Sequence, residues 1–162
     1  MNYDYFSRLE EGALVKSETQ TEQEFMEDIL SRVFSEKNEA MAGRVNDKLE
    51  PQFTGCSAEG RSMSISFTAQ EWMLNPNGTL HGGMLSTCVD MAMSVLSRYL
   101  SKKRTMVTAQ LSMNFLKTVC RGDTFTVHVT ADHVGRRSTI VHAYVSISSS
   151  EKYAATATAV LM

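Results

Sequence analysis

The chain has 162 residues, of which 43% are hydrophobic and 21% charged, a composition typical of a globular protein that buries one core. Its 16 basic and 18 acidic residues nearly cancel, and the longest basic run covers only residues 102–104, which argues against nucleic acid as a partner. Three widely spaced cysteines without a C-x-x-C pair argue against a disulfide framework or a zinc site, and no apolar run is long enough to span a membrane. We therefore predict a cytoplasmic protein with no membrane partner.

The first fifty residues contain one clear helical pattern. Thr21 and Glu24 have the spacing of a capping box, which predicts a helix that begins near residue 22, runs to about residue 41 and ends near Gly43. Residues 1–20 leave two interpretations open, because Leu9, Leu14 and Val15 fit either a short docked helix or a segment that covers a groove. We treat residues 1–50 as an N-terminal helical extension. The apolar residues at helical spacing are Phe25, Met26, Ile29, Leu30, Val33 and Phe34.

The period changes after Arg61. Met63, Ile65 and Phe67 alternate with small polar residues, which predicts a half-buried strand. Residues 75–78 read Asn-Pro-Asn-Gly, which is typical of a turn. An almost entirely apolar stretch follows from Met84 to Leu100 and predicts a helix that is buried around most of its circumference.

Four further stretches alternate with period two and predict strands joined as consecutive antiparallel hairpins. One apolar helix is buried on nearly all sides only if such a sheet curls around it. We therefore predict an α+β fold in which an antiparallel sheet wraps one long central helix, with residues 51–162 as its domain and an extra N-terminal helix. The strands are expected at residues 107–115, 125–131, 141–147 and 153–161.

Asp90 is the only acidic residue in the apolar helix. A buried carboxylate costs several kcal/mol unless it is paired, hydrogen-bonded or protonated, and one substitution would remove that cost. A structural pair with Arg98 is the alternative, but Arg98 lies eight residues away. We infer that Asp90 is functional.

The beginning of the same helix offers a second chemical group. The unpaired N–H groups and positive dipole of a helix N-terminus stabilise a developing oxyanion, and Gly82 and Gly83 have no side chain to block a substrate. We predict that the amide of Gly82 is the oxyanion donor, while His81 holds the turn or polarises the carbonyl. Close packing of helix and sheet is the structural alternative for both glycines.

The order of strand, turn, His-Gly-Gly helix and wrapping strands resembles the hotdog fold. The residues resemble the acyl-CoA thioesterases of that superfamily, in particular the phenylacetate-pathway (PaaI-type) branch. Its signature is an Asn, then Gly-x-x-His-Gly-Gly, then an acidic helix residue, and it is matched here by Asn75, Gly78, His81 to Gly83, and Asp90. The resemblance covers about residues 53–162 and also matches Thr108 on the strand after the helix.

The resemblance implies a site shared between two subunits. Asp90 lies nine residues after His81, which is about 13 Å along a helix and too far to meet the glycine turn of its own chain. In the family, the helices of a dimer are antiparallel, so Asp90 would face the turn of the other chain. Asp90 would attack the carbonyl or activate a water that Thr108 orients, and Asn75 would join His81. The sequence leaves nucleophile and general base open.

Several of these residues also have purely structural explanations. Thr108 suits any strand and Asn75 suits any turn. Gly83 is predicted to bind substrate. The turn residues Arg136 and Arg137 are the candidates for the phosphates of coenzyme A, since guanidinium groups match phosphate oxygens, and an ordinary solvated turn is the alternative for them.

We therefore predict an acyl-CoA thioesterase that forms a homodimer or a dimer of dimers and needs no metal or other cofactor, coenzyme A being part of the substrate. The first alternative is a non-catalytic acyl-CoA sensor whose N-terminal helices signal to a partner. A hotdog hydratase or dehydratase ranks last, because the histidine motif of such enzymes is missing.

Overall fold

The computed structural model describes residues 15–35, 42–102 and 106–162 of the chain. The predictions for residues 1–14, which include Leu9 and Leu14, and for the end of the first helix after Ser35, lie outside the described residues. Val15 is exposed.

The first helix begins where the capping box predicts. Helix α1 covers Glu22–Ser35, and the amide of Thr21 donates to the Glu24 carboxylate at 2.8 Å while the amide of Glu24 donates to the Thr21 hydroxyl at 3.2 Å. A short helix, α2, covers Val45–Lys48, a 3-10 helix covers Glu71–Met73, and the long helix α3 covers Gly82–Ser101. The predicted central helix is thus confirmed, and it begins two residues before Met84.

The described residues form six strands: β1 Gln52–Ser57, β2 Ser62–Thr68, β3 Thr108–Phe115, β4 Thr124–Val134, β5 Thr139–Ile147 and β6 Ser150–Leu161. They make one antiparallel sheet in the order β1-β2-β4-β5-β6-β3. The strands predicted from alternation are confirmed, but β3 pairs with β6 rather than with β4. The expectation of consecutive hairpins is therefore correct for β4, β5 and β6 and wrong for β3.

Strand β1 was not predicted, because its alternation is interrupted. Its register with β2 shifts between Phe53 and Gly55. The two apolar residues Phe53 and Cys56 are three positions apart, whereas regular alternation would place apolar residues two positions apart. A bulge of this kind puts one extra residue into the strand and breaks the period on which recognition depends.

Helix α3 lies against the concave face of the sheet, where the apolar residues of β2, β4, β5 and β6 are buried. The stacked rings of Phe67 and Phe125, with centroids 5.5 Å apart, belong to this core. The arrangement is the hotdog fold that the sequence predicts. The buried residues of α3 are Leu85, Cys88, Val89, Met91, Ala92, Met93, Val95, Leu96 and Ser97.

One stripe of α3 is not buried within the single chain. Thr87, Asp90 and Ser94 are each only half-buried, and they recur at intervals of three and four residues, which places them on one side of the helix. The expectation of burial around most of the helix is therefore wrong for this side, because this chain's sheet covers only the opposite one.

Helix α1 completes the core at the edge of the sheet beside β1. The apolar side chains Met26, Ile29, Leu30 and Val33 are fully buried. The Gln23 side chain donates to the carbonyl of Cys56 at 3.0 Å and accepts from the amide of Ala58 at 2.8 Å, so it binds both polar groups of the strand end. Helix α1 therefore packs as part of the core. Within the described residues, no helix has both the length and the apolar character that crossing a bilayer requires.

Candidate active site

The turn before α3 is held by the side chain of Asn75. Its Oδ1 accepts from the amides of Asn77 at 2.9 Å and Thr79 at 3.3 Å, and its Nδ2 donates to the Thr79 hydroxyl at 2.9 Å. Gly78 has a φ of 73°, which other residues adopt only with strain. Asn75 thus fixes the approach to the helix, and its predicted catalytic role stays a prediction.

His81 is the residue that caps α3. Its Nδ1 accepts a hydrogen bond from the amide of Gly83 at 2.9 Å, and its own amide donates to the carbonyl of Met73 at 2.9 Å. A neutral imidazole that accepts at Nδ1 carries its proton at Nε2, so the exposed edge of the ring presents an N–H donor. A Cβ on Gly83 would lie 3.0 Å from His81 Nδ1, which explains the second glycine.

The amide of Gly82 is available for a ligand. The amide of Gly83 is used by His81, and those of Met84 and Leu85 donate to the carbonyl of His81 at 2.9 and 3.0 Å. Among the described residues, none accepts from the Gly82 amide. This amide is therefore the one at the helix N-terminus that is free to bind an oxygen atom from outside the chain.

Phe115, at the end of β3, lies against Gly82. A Cβ on Gly82 would meet the ring of Phe115 at 3.4 Å, and the ring itself is 55% exposed. The sequence analysis did not identify this residue as part of the site. Its alternation with Leu111 and Met113 placed it on the inner face of the strand, but only the fold shows which part of α3 the strand end meets.

The Thr108 hydroxyl donates to Oδ1 of Asp90 at 2.6 Å. The helix and the strand that follows it therefore bring together the two residues that the sequence pattern matched. Asp90 is half-buried, and among the described residues none donates a hydrogen bond to its Oδ2. The catalytic roles of both residues stay predictions.

The structural alternative for Asp90, a salt bridge with Arg98, is not supported, and the neighbouring thiol of Cys88 is not suited to be the reacting group. Among the described residues, Asp90 has no ion pair, so a salt bridge with Arg98 does not explain it. Cys88 lies two residues before Asp90 and is fully buried, and this burial raises the pKa of its thiol to about 12. A thiol with such a pKa stays protonated at neutral pH and is a poor nucleophile.

Arg136 and Arg137 lie in the exposed turn between β4 and β5, which is closed by a 2.9 Å bond from the amide of Gly135 to the carbonyl of Ser138. The sheet register aligns Thr139, Leu161 and Thr108 across neighbouring strands. The two arginines are therefore at the Asp90 end of the molecule, away from Phe115 and Gly82. Their binding role stays a prediction.

The part of the chain that the structure describes contains no cluster of three or more His, Cys, Asp or Glu side chains that could hold a metal ion. A site without metal stays a prediction.

Comparisons with known proteins agree with this geometry. The family model of the thioesterase superfamily matches residues 77–154. A protein of Pseudomonas aeruginosa that is provisionally named an esterase is 30% identical over 115 residues, which cover 70% of this chain and 84% of that protein. A similarly named protein of Saccharolobus solfataricus is 38% identical over 77 residues, covering 48% of this chain and 51% of that protein, so the match spans about half of its length.

Solved structures lead to the same family. A provisionally named thioesterase from Ralstonia eutropha JMP134, described as related to phenylacetic acid degradation, is 26% identical with a TM-score of 0.66, over 78% of this chain and 92% of that one. A protein from Streptococcus mutans UA159, solved with acetyl-CoA bound, is 27% identical with a TM-score of 0.57, over 68% of this chain and 87% of that one. The resemblance found in the sequence is confirmed, and the chain belongs to the thioesterase superfamily, with the hotdog fold.

Proposed function

We propose that this protein hydrolyses acyl-CoA thioesters to the free acid and coenzyme A, at a site that two copies of the chain share. The proposal rests on two groups that helix α3 holds at different positions along its length. A free amide lies at its beginning, on Gly82, and a hydrogen-bonded carboxylate lies eight residues later, on Asp90.

The Gly82 end supplies the electrophilic half of the site. The thioester carbonyl oxygen accepts from the Gly82 amide, where the helix dipole adds positive potential, and from Nε2–H of His81. The Phe115 ring beside Gly82 keeps water away from this oxygen, which strengthens both hydrogen bonds. The side chain of Asn75 keeps the turn in position throughout.

The Asp90 end supplies the reacting carboxylate. As a general base, Asp90 takes a proton from a water molecule whose oxygen attacks the carbonyl carbon; the C–S bond then breaks and the proton passes to the departing sulfur. As a nucleophile, Asp90 attacks the carbon itself and expels the coenzyme A thiolate, and water then hydrolyses the mixed anhydride. In both routes Thr108 holds one carboxylate oxygen and leaves the other for the reaction.

The distance between the two ends requires a second copy. Gly82 and Asp90 are separated by more than two turns of α3, about 12 Å. The uncovered stripe of α3 adjoins the edge strand β3, where Val107 is 71%, Phe115 55% and Leu116 59% exposed. Exposed apolar residues of this size mark an interface. An antiparallel pair of α3 helices buries this surface and brings Asp90 of one chain to Gly82 of the other.

The coenzyme A part of the substrate is supported by the Streptococcus mutans relative, which was solved with acetyl-CoA bound. Arg136 and Arg137 lie on the Asp90 side and meet the coenzyme phosphates from the second chain, while Gly83 leaves room for the acyl group. No metal or further cofactor takes part in either route.

The test measures hydrolysis of a panel of acyl-CoA thioesters by the Asp90→Asn variant. The free thiol that is released reports the rate. We expect kcat to fall at least about a hundredfold, the lower range for loss of general-base or nucleophilic catalysis. The mass of the assembly should not change. Glu59→Gln, which neutralises an exposed carboxylate in the turn between β1 and β2, is the matched control and should keep full activity.

Unchanged turnover of every active substrate by Asp90→Asn would refute the mechanism. Tight binding of acyl-CoA by the wild type, with no thiol released from any thioester, would instead support the sensor alternative.

A further inference from the structure

A cavity of about 910 Å³ opens where β3 ends beside the turn between β5 and β6. Its volume is within the range of sites for small molecules and cofactors. None of its residues belongs to the motif that the sequence shares with the family. The cavity is lined by Leu116, Lys117, Ser149, Ser150, Lys152 and Tyr153.

Two lysines, Lys117 and Lys152, line the cavity. Nζ of Lys117 donates to the Ser150 hydroxyl at 2.6 Å, and the same hydroxyl accepts from the backbone amide of Lys152 at 3.1 Å. Among the described residues, neither ammonium group has a carboxylate partner. Ser150 therefore holds Lys117 in a defined position, with ammonium protons left for an anion.

The ring of Tyr153 lines one side of the cavity and is held in place by packing. The ring is 49% exposed and packs on Tyr144 at a centroid distance of 4.7 Å; Tyr144 in turn stacks on His128 at 4.5 Å. His128 is fixed by 2.9 Å hydrogen bonds to the hydroxyls of Ser64 and Ser146. This row of rings across the sheet immobilises Tyr153, so that little side-chain entropy is lost when a planar group stacks on it.

The position of the cavity relates it to the candidate active site. Phe115, whose ring touches Gly82, is followed directly by Leu116 and Lys117, which line the cavity. The cavity and the free amide thus belong to the same end of one chain, whereas Arg136 and Arg137 lie at the other end.

We propose that this cavity binds the 3′-phosphorylated ADP part of coenzyme A, with Lys117 and Lys152 on the phosphates and Tyr153 stacked on the adenine. The identity of the ligand rests on the proposed function. Because the thioester carbonyl is bound at Gly82, the pantetheine arm runs past Phe115 into the cavity of that same chain. One subunit therefore holds the carbonyl and the adenine. Its partner supplies Asp90, and from the neighbouring turn Arg136 and Arg137 of the partner meet the phosphates beside the two lysines.

The direct test uses adenosine 3′,5′-bisphosphate, which has the adenine, the ribose, the 3′-phosphate and the first 5′-phosphate of coenzyme A but no thioester, and measures its binding by calorimetry. We expect binding by the wild type and at least a tenfold loss in Lys117→Ala/Lys152→Ala, since the variant loses charged hydrogen bonds to the phosphates. Tyr153→Leu should weaken binding severalfold through lost stacking. Lys48→Ala, which removes an exposed lysine of α2, is the control and should bind as the wild type does.

Absence of binding by the wild type, or equal binding by the double lysine variant, would overturn the proposal. This measurement needs no catalysis, so it succeeds or fails independently of the hydrolytic function.

A kinetic test links the cavity to the reaction. The double lysine variant should show a KM at least tenfold higher for an acyl-CoA with little change in kcat. Its kcat/KM for the same acyl group on N-acetylcysteamine, which lacks the nucleotide, should be unchanged. An equal loss with both thioesters would contradict a role in nucleotide binding. Failure of the wild type to hydrolyse either thioester would instead refute the proposed function.

Mixed oligomers test which chain supplies which part. Asp90→Asn chains and Lys117→Ala/Lys152→Ala chains are produced with different tags and purified together as one assembly. In a shared site of the proposed kind, one site of each pair is fully wild type, so the wild-type KM for acyl-CoA returns. A KM that stays high would show that the cavity serves the Asp90 of its own chain.

Discussion

The Thr108 hydroxyl is 2.6 Å from Oδ1 of Asp90, and it joins the first residue of β3 to the middle of α3. A hydrogen bond to a charged carboxylate is short and strong. It restricts the rotation of the Asp90 side chain and leaves the second carboxylate oxygen on the side of the helix that this chain does not cover.

Replacement of Thr108 should therefore affect the reaction rather than the fold. We expect Thr108→Val, which keeps the shape and removes the donor, to lower kcat about 10- to 100-fold, equivalent to the roughly 1.5–3 kcal/mol of a charged hydrogen bond. Thr108→Ser keeps the hydroxyl and should retain kcat within a few-fold. Steady-state kinetics with one acyl-CoA measures kcat for both variants. Equal kcat values for Thr108→Val and Thr108→Ser would contradict the role of the hydroxyl.

Helix α1 should contribute to the stability of the whole domain. Leu30 is fully buried, and Leu30→Ala is expected to lower the free energy of unfolding by about 2–5 kcal/mol. Glu27→Ala on the exposed side of the same helix should change it by less than about 0.5 kcal/mol. Urea denaturation measures both. A negligible effect of Leu30→Ala would mean that α1 is a detachable appendage.

His128 should make the protein less stable in mild acid. Burial lowers the pKa of His128 below its usual 6.5, so the folded state resists a proton that the unfolded state accepts. As the pH falls below about 6.5, the unfolded state therefore binds more protons and the free energy of unfolding decreases, until the pH passes below the pKa of the folded state. We expect a shallower decrease between pH 7 and pH 5 in His128→Gln.

The control for this pH dependence is His133→Gln, which replaces an exposed histidine on the same strand and should leave the slope as it is in the wild type. Denaturant unfolding at a series of pH values provides the measurement. If His128→Gln keeps the wild-type slope, other groups cause the acid sensitivity.

The three free cysteines should differ in reactivity. Cys120 is exposed and should react first with a thiol reagent; Cys56 should react more slowly, since burial and the charge of Glu27 raise its pKa. Cys88, with its pKa raised to about 12 by burial, should react only after unfolding. Titration of thiols before and after denaturation checks this order, and prompt labelling of Cys88 in the native protein would contradict the placement of α3.

Local patterns predicted most of the elements. Alternation identified β2 and the four later strands, and the capping residues identified the start of α1, because these signals depend on near neighbours in sequence. They did not identify β1, whose bulge between Phe53 and Gly55 interrupts the period, nor the pairing of β3 with β6. Which strands become neighbours depends on how the sheet closes around the helix, and no local pattern carries that information.

The candidate site was predictable to the same extent. The family resemblance matched both Asp90 and Thr108, and their side chains are joined by a hydrogen bond. Their catalytic roles stay predictions. The contact of Phe115 with Gly82 and the cavity beyond it depend on three segments that are distant in sequence. Arginines in a turn were recognisable as candidate phosphate ligands, whereas two lysines separated by thirty-five positions, Lys117 and Lys152, were not.

Strand β6 lies between β5 and β3 in the sheet but is synthesised after both of them. During synthesis, β3 leaves the ribosome well before β6, the strand with which it pairs. It therefore has no neighbouring strand until residues 150–161 follow. Thr108 acquires a fixed backbone only at that late stage. Nascent chains should therefore acquire the geometry around Asp90 in a single late step, and release from the ribosome before β6 would leave an exposed edge prone to aggregation.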